Sequence, residues 1–418
     1  GVALYANTTA DRSTGVGYFA LGANTTGTQN TALGKTALQA NTTADYNTAV
    51  GSSALYANTT GADNTAVGRT ALYANTTASN NTAIGSNALG ANTTGTKCTA
   101  VGKGALDSSN ADDNTAVGYN AMTGNTTGIR NAALGQSALG SNTTGTRNVA
   151  VGYMALKDNT TNNDNTAVGH YALGVSDGAY DNVAVGRNAM SSMTTGQQNT
   201  AVGNQSLNAA SGCSNNSMLG MYAGLSMTTG SNNTAAGYSS LYSCTTGGDN
   251  IAIGKQAGND LTTGNNNLFF GVDSGRSNSP SGQITTGSNN VVLGSNSIAN
   301  LYCADTSISS SDARDKTDVE KFTHGLDWIT AMNPVTYRWD RRTWYSDDKS
   351  VTPDGSKKRE RLHIGFIAQE AIEVEKNHGY ADKKDNMLIV NQDEDEADPS
   401  YGIKYERLVP VLVNAIKE

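Results

Sequence analysis

Glycine returns every seventeen residues. Gly17, Gly34, Gly51, Gly68, Gly85 and Gly102 keep that spacing, one 16-residue step leads to Gly118, and the period then runs from Gly135 to Gly271. An asparagine ladder confirms the phase: Asn30, Asn47, Asn64 and Asn81, with Cys98 in one slot, then Asn114 and onward to Asn267. The unit reads N-T-A-V-G-x-x-A-L-x-x-N-T-T-G-x-x. Self-similarity at a short fixed period means that each unit is a supersecondary element stacked on its neighbours.

Seventeen residues are too few for two helices and their turns, and the glycines penalise helix in every unit. The period therefore predicts a mainly β fold, a parallel β-solenoid or β-roll. T-A-V/I/L-G supplies one short strand, A-L-x-x a second, and N-T-T-G the turns. Coils about 4.8 Å apart stack into a rod of about 75 Å for roughly sixteen coils. Identical residues then form columns. The Val/Ile/Leu column (Val50, Val67, Ile84, Val101, Val117) and the Leu/Met column (Leu38, Leu55, Leu72, Leu89, Leu106, Met122) are expected inside, with the Asn amides bonded along the stack. Such thin coils call for association, three chains around one axis, with Ala and Thr columns between chains. From Gly271 to Gly294 the step lengthens to 23, and Ser279-Pro280-Ser281-Gly282 reads as an inserted loop.

Charge divides the chain. Of the 36 acidic and 28 basic residues, 23 and 17 lie from 301 onward, so the repeat has no basic patch to neutralise phosphates, and nucleic-acid binding is disfavoured. No apolar run reaches membrane-spanning length and no signal peptide opens the chain, so membrane insertion is not expected. Gly1 stands in mid-repeat without a methionine, which reads as a fragment of a longer protein. Cys98, Cys213, Cys244 and Cys303 lack CxxC spacing and read as free thiols. His170, His324, His363 and His378 form no ligand spacing, so no metal or cofactor is expected. The N-T-T triplets match a glycosylation acceptor, yet within a strict repeat they read as turns. Asp63, Asp113, Asp164, Asp181 and Asp249 offer one carboxylate per coil, too few for calcium or for a glycan-cleaving pair, and read as solvated turn residues. Tyr56 and Tyr73 read as packed along the stack.

After Ser311 ordinary globular patterning returns. A helical face spans Val319 to Met332 and ends at Asn333-Pro334. Strands are expected at 335–339, 363–368 (buried), 387–390 and 401–405, helices at 369–376 and 406–418, and charged loops at 347–361 and 392–400. The expected domains are a solenoid body 1–294, a neck 295–310 and a tail 311–418.

Ser311-Asp312-Ala313-Arg314-Asp315-Lys316 sits at the boundary, and a desolvated lysine can act as base towards a serine hydroxyl. With NPVTYRWD at 333–340, IGFIAQE at 364–370 and YERLVPVLVNAIKE at 405–418, in that order, the tail resembles the intramolecular chaperones of endosialidase-type phage tailspikes and fibres. That resemblance implies a tail that assembles the upstream fibre as a homotrimer and then cuts itself off. It implies a scissile bond between Ser310 and Ser311, Ser311 as nucleophile, Lys316 as base, and Asp312 and Arg314 as positioning groups. An acyl shift onto Ser311 and cleavage by a neighbouring chain both remain open. The repeat is similar to the β-roll heads of trimeric adhesins. Together these resemblances imply an extracellular or virion fibre that meets a host glycan or protein receptor; a surface adhesin is the alternative and a glycan-degrading spike a weaker one.

Overall fold

The computed structural model describes residues 2–298, 317, 319–342, 345, 351–392 and 401–418. It divides into two units, Gly1–Ile298 and Ala299–Glu418.

The first unit is a parallel β-solenoid. Seventeen three-residue strands, from Thr14–Val16 to Val291–Leu293, form one sheet. Each strand pairs in parallel with its counterpart one coil later, as Thr48 with Thr65 and Val50 with Val67, so the chain coils on itself. The 16-residue step is absorbed without loss of register, Thr99 facing Thr115. The 23-residue step loops out its extra residues around Ser279–Gly282, and Leu268–Phe270 pairs normally with Val291–Leu293.

The expected second strand does not form. Leu55 and Leu72 sit at φ 51° and 48°, in the left-handed region, and so does the residue two before each, such as Ser53 and Thr70. The segment still stacks through its backbone, Leu55 N–H donating to Ala71 O at 3.0 Å and Ala57 N–H to Tyr73 O at 3.1 Å. A left-handed leucine costs about 1–2 kcal/mol. Full burial of the side chain, about 1.5–3 kcal/mol, offsets it. The glycine column is obligatory on two counts: Gly51 has φ +135°, and a Cβ there would lie 2.5 Å from Gly68 O of the next coil.

The Val/Ile/Leu column is not inside. Side chains alternate across a strand, and it is the middle alanine that points inward: Ala49, Ala66 and Ala83 are fully buried. The third residue faces out, half-buried at Val50 and Val67 and 50% and 58% exposed at Leu134 and Leu219. Nor do these alanines lie on an outer face between chains, because they fill the solenoid's own interior. That interior is narrow: each standard coil contributes two alanines and one leucine, such as Ala49, Ala54 and Leu55, as its apolar part. The Leu/Met column is buried as expected.

Two asparagine columns line the rest. Asn64 Nδ2 donates to Asn47 Oδ1 at 3.1 Å and to Ala78 O at 2.9 Å, while Asn47 Oδ1 also accepts from Asn64 N–H. The asparagine of N-T-T is the second column rather than an exposed turn residue. Asn58 is fully buried and donates to Asn41 Oδ1 at 3.0 Å and Gly61 O at 2.9 Å, which leaves its amide no room for a glycan. From residue 193 this slot turns apolar, with Met193, Ala210, Met227, Cys244, Leu261 and Ile284 buried in succession.

Cys98, Cys213 and Cys244 are buried free thiols whose pKa burial pushes up to about 11; Cys303 lies outside the described residues. The aspartates before the ladder occupy left-handed positions, Asp63 and Asp164 at φ 58° and 59°, which is what that backbone favours. Tyr56 and Tyr73 stack at 5.1 Å.

Candidate functional site

The C-terminal unit is built on a small core in which Trp328, Ile372, Val374, Ile389, Val390, Leu408 and Val411 are buried. The first helix, α1, is only Leu326–Ala331, shorter than the apolar spacing from 319 implies. Gly325 precedes it, the chain from 319 to 324 has no regular structure, and Phe322 packs on the core from it. Val335–Tyr337 pairs antiparallel with His363–Gly365, and Val390–Gln392 with Tyr401–Ile403. The middle of the 363–365 strand is not buried as expected, since Ile364 is 78% exposed. Helices α2 (Ala368–Asn377) and α3 (Leu408–Lys417) complete the unit.

The motif blocks meet through specific contacts. The Tyr405 hydroxyl accepts from Phe366 N–H at 3.1 Å, and a Cβ at Gly365 would collide with that hydroxyl, so a larger residue in IGFIAQE would displace Tyr405. Asn414 of α3 donates to Phe322 O and His324 O at 2.9 and 3.1 Å. Glu375, fully buried on α2, accepts from the backbone N–H groups of Leu388, Ile389 and Val390 at 2.7, 2.7 and 2.8 Å. A carboxylate answered by three N–H groups holds this loop to the helix.

A second polar cluster lies where α1 begins and α2 ends. His324 Nδ1 donates to Asp327 Oδ2 at 2.8 Å, and His378 Nε2 lies 3.3 Å from the same oxygen. Asp327 Oδ1 accepts from Gly325 and Trp328 N–H groups, both at 2.9 Å. The His324 bond, reinforced by these two, lowers the Asp327 pKa to about 2. Separated by more than fifty residues, the two histidines gave no spacing to read; the only local trace was the i, i+3 pair of His324 and Asp327.

Helix α3 has apolar residues on two faces. Leu408 and Val411 are buried, while Val409, Leu412, Val413 and Ile416 are 57%, 44%, 43% and 84% exposed along one stripe of i, i+3, i+4, i+7 spacing. Ser310, Ser311, Asp312, Arg314 and Lys316 lie outside the described residues.

Residues 311–380 match the family model described as chaperone of endosialidase. The chain carries a chaperone-of-endosialidase domain. Its matched stretch takes in SDARDK, α1, NPVTYRWD and IGFIAQE, while the 405–418 block lies beyond it. No curated protein and no solved structure matches the chain. A chaperone-of-endosialidase domain after a β-solenoid fits a protein of the phage tail-fibre or tailspike type. Among the described residues no helix is long and apolar enough to cross a membrane.

Proposed function

We propose that the chain is the attachment fibre of a phage or virus-like particle, a homotrimer whose β-solenoid bodies reach a host-surface glycan or protein. The chaperone domain, 311–418, aligns the three chains and is then released before Ser311. The observation that carries this reading is the chaperone-of-endosialidase match directly after a solenoid of near-identical coils. Such coils need an external reference to choose among alignments one coil apart.

Two surfaces support association. On the solenoid, the outward apolar column runs without a charged residue from Val16 to Leu293, and a contiguous apolar strip marks an interaction surface. In the tail, the stripe on α3 has the spacing of a helix that packs against another copy.

For release, Ser311 Oγ attacks the Ser310 carbonyl, directly within its own chain or from a neighbour, and Lys316 takes its proton. An ester replaces the peptide bond, Lys316 passes the proton to the departing Ser311 amine of the cleaved chain, and water hydrolyses the ester to leave a Ser310 carboxylate and a free serine hydroxyl. Lys316 needs burial or a nearby cation such as Arg314 to act as base near neutral pH. Asp312 and Arg314 position the pair. Ser311→Ala is expected to give a trimer of full-length chains, where the native protein runs on a denaturing gel without residues 311–418. A Ser311→Ala chain that is still shortened overturns the assignment. The second reading, a cell-surface adhesin, draws on the likeness of N-T-A-V-G to adhesin head repeats; a membrane anchor encoded upstream would favour it.

A further inference from the structure

We propose that His324, Asp327 and His378 form a binding site for one divalent transition-metal ion of the zinc class, which clips the start of α1 to the end of α2. Among the described residues this is the one group of three histidine, cysteine or acidic side chains whose donor atoms all lie within 4.8 Å of one another. With metal bonds of about 2.0–2.1 Å, tetrahedral donors lie about 3.3 Å apart. The two contacts on Asp327 Oδ2, 2.8 and 3.3 Å, lie at or a little below that value, so small shifts would seat an ion among the three donors.

The surrounding bonds orient the donors. The Val374 carbonyl can only accept, so His378 Nδ1, 2.7 Å away, carries a proton and donates it. In the neutral ring Nε2 therefore presents a lone pair to the carboxylate oxygen, an arrangement that a cation between them makes favourable. This backbone bond to the far ring nitrogen is the usual support of a ligating histidine. Asp327 is fixed through Oδ1 by two backbone N–H groups, and at Oδ2 an ion would take the place of the proton on His324 Nδ1, the neutral ring then carrying its proton on Nε2. His324 stacks on Trp328 at 5.6 Å and 17°, and Phe322 and Tyr380 stand against its ring. The Asp327 side chain is 46% exposed, so an ion has an open approach and further coordination positions can hold water. Two imidazoles select zinc, cobalt, nickel or copper over calcium and magnesium. A unit with so small a core gains from a cross-link between segments more than fifty residues apart.

The test is a titration of the metal-stripped full chain with Co²⁺, followed by its visible absorption. Native mass spectrometry reports metal on the chain and on any released tail. One Co²⁺ per chain is expected, displaced by Zn²⁺, with affinity reduced about tenfold or more in His378→Gln and in Asp327→Asn, the latter keeping an oxygen for the Gly325 and Trp328 N–H groups. His170→Gln, in the solenoid, should bind as the native chain does. The proposal is overturned if the native chain takes up no stoichiometric cobalt, if His378→Gln binds equally well, or if a thiolate charge-transfer band places the ion on cysteine. In the first case the cluster is a contact of His324 and His378 with Asp327 and nothing more. None of these outcomes bears on the reading of the chain as a fibre.

Discussion

Met218 and Gly224 show how little space a coil encloses. Met218 stands where neighbouring coils have alanine, and Gly224 where they have leucine; a Cβ at Gly224 would lie 2.9 Å from the Met218 sulfur. The same exchange recurs at Phe269, another alanine slot, with Gly258 and Gly275 in the leucine slots beside it, and a Cβ at Gly258 would lie 2.7 Å from the Phe269 ring. Bulk moves between two positions while the volume is kept. Left-handed φ is no obstacle to leucine at 224, because Leu207 and Leu241 take φ 52° and 48° in adjacent coils. Gly224→Leu alone should therefore destabilise by overpacking, about 1–3 kcal/mol. Met218→Ala alone should leave a cavity costing about 2–5 kcal/mol. Together they restore the common coil and should return to within about 0.5 kcal/mol of the native chain, a large coupling for neighbours. Denaturant unfolding of the four proteins checks this; additive losses would sink the volume argument. Volume also explains which residues were misplaced in the sequence. T-A-V alternates, so either Ala49 or its flanking Thr48 and Val50 face inward, and hydrophobicity favours Val50. The interior has room only for Ala49.

At the scale of elements, the short strand of each 17-residue coil and its parallel in-register stacking were legible because a repeated glycine and asparagine fix the phase. The turn around Leu55 was not, since left-handed leucines run against backbone preference and are held by burial and by bonds to the next coil. The second asparagine column was legible as a turn but not as core. Its replacement by Met193 and Met227 is the sequence trace of an inward side chain, and both are fully buried. In the tail, short strands and two helices were readable from apolar spacing. The meeting of His324 with His378 depends on how α1 and α2 pack, which no local pattern carries. Helix α3 shows the opposite case, a pattern with more apolar positions than its own unit covers. If its outer stripe joins copies, Leu412→Gln with Ile416→Gln should leave the tail folded by circular dichroism yet prevent trimers, each exposed side chain otherwise contributing about 1.5–3 kcal/mol per copy on burial. Sedimentation equilibrium decides; an undiminished trimer would show that the stripe has another purpose.

For the molecule as a whole, the repeat that makes the solenoid easy to extend also makes its assembly ambiguous. Three such bodies displaced by one coil, about 4.8 Å, keep nearly every contact between their apolar columns. With seventeen strands in the sheet, one row in seventeen is lost. That difference is small beside the cost of separating the bodies to try again, so a misaligned trimer persists once formed. The 16-residue coil at Thr99–Thr115 and the enlarged last coil break the symmetry along the body but leave long uniform runs between them. On the proposed reading, a folded tail of unique sequence would take one mutual arrangement and pass that choice to the coils before it. A chain ending at residue 310 should therefore coil on itself normally, with β-rich circular dichroism, while forming monomers and a mixture of staggered oligomers. The body released by cleavage from the full chain should be a uniform trimer. Native mass spectrometry with negative-stain imaging of the ends separates the two outcomes. Homogeneous, flush-ended trimers from the truncated chain would mean that the coils carry their own alignment and that the chaperone domain serves something other than register.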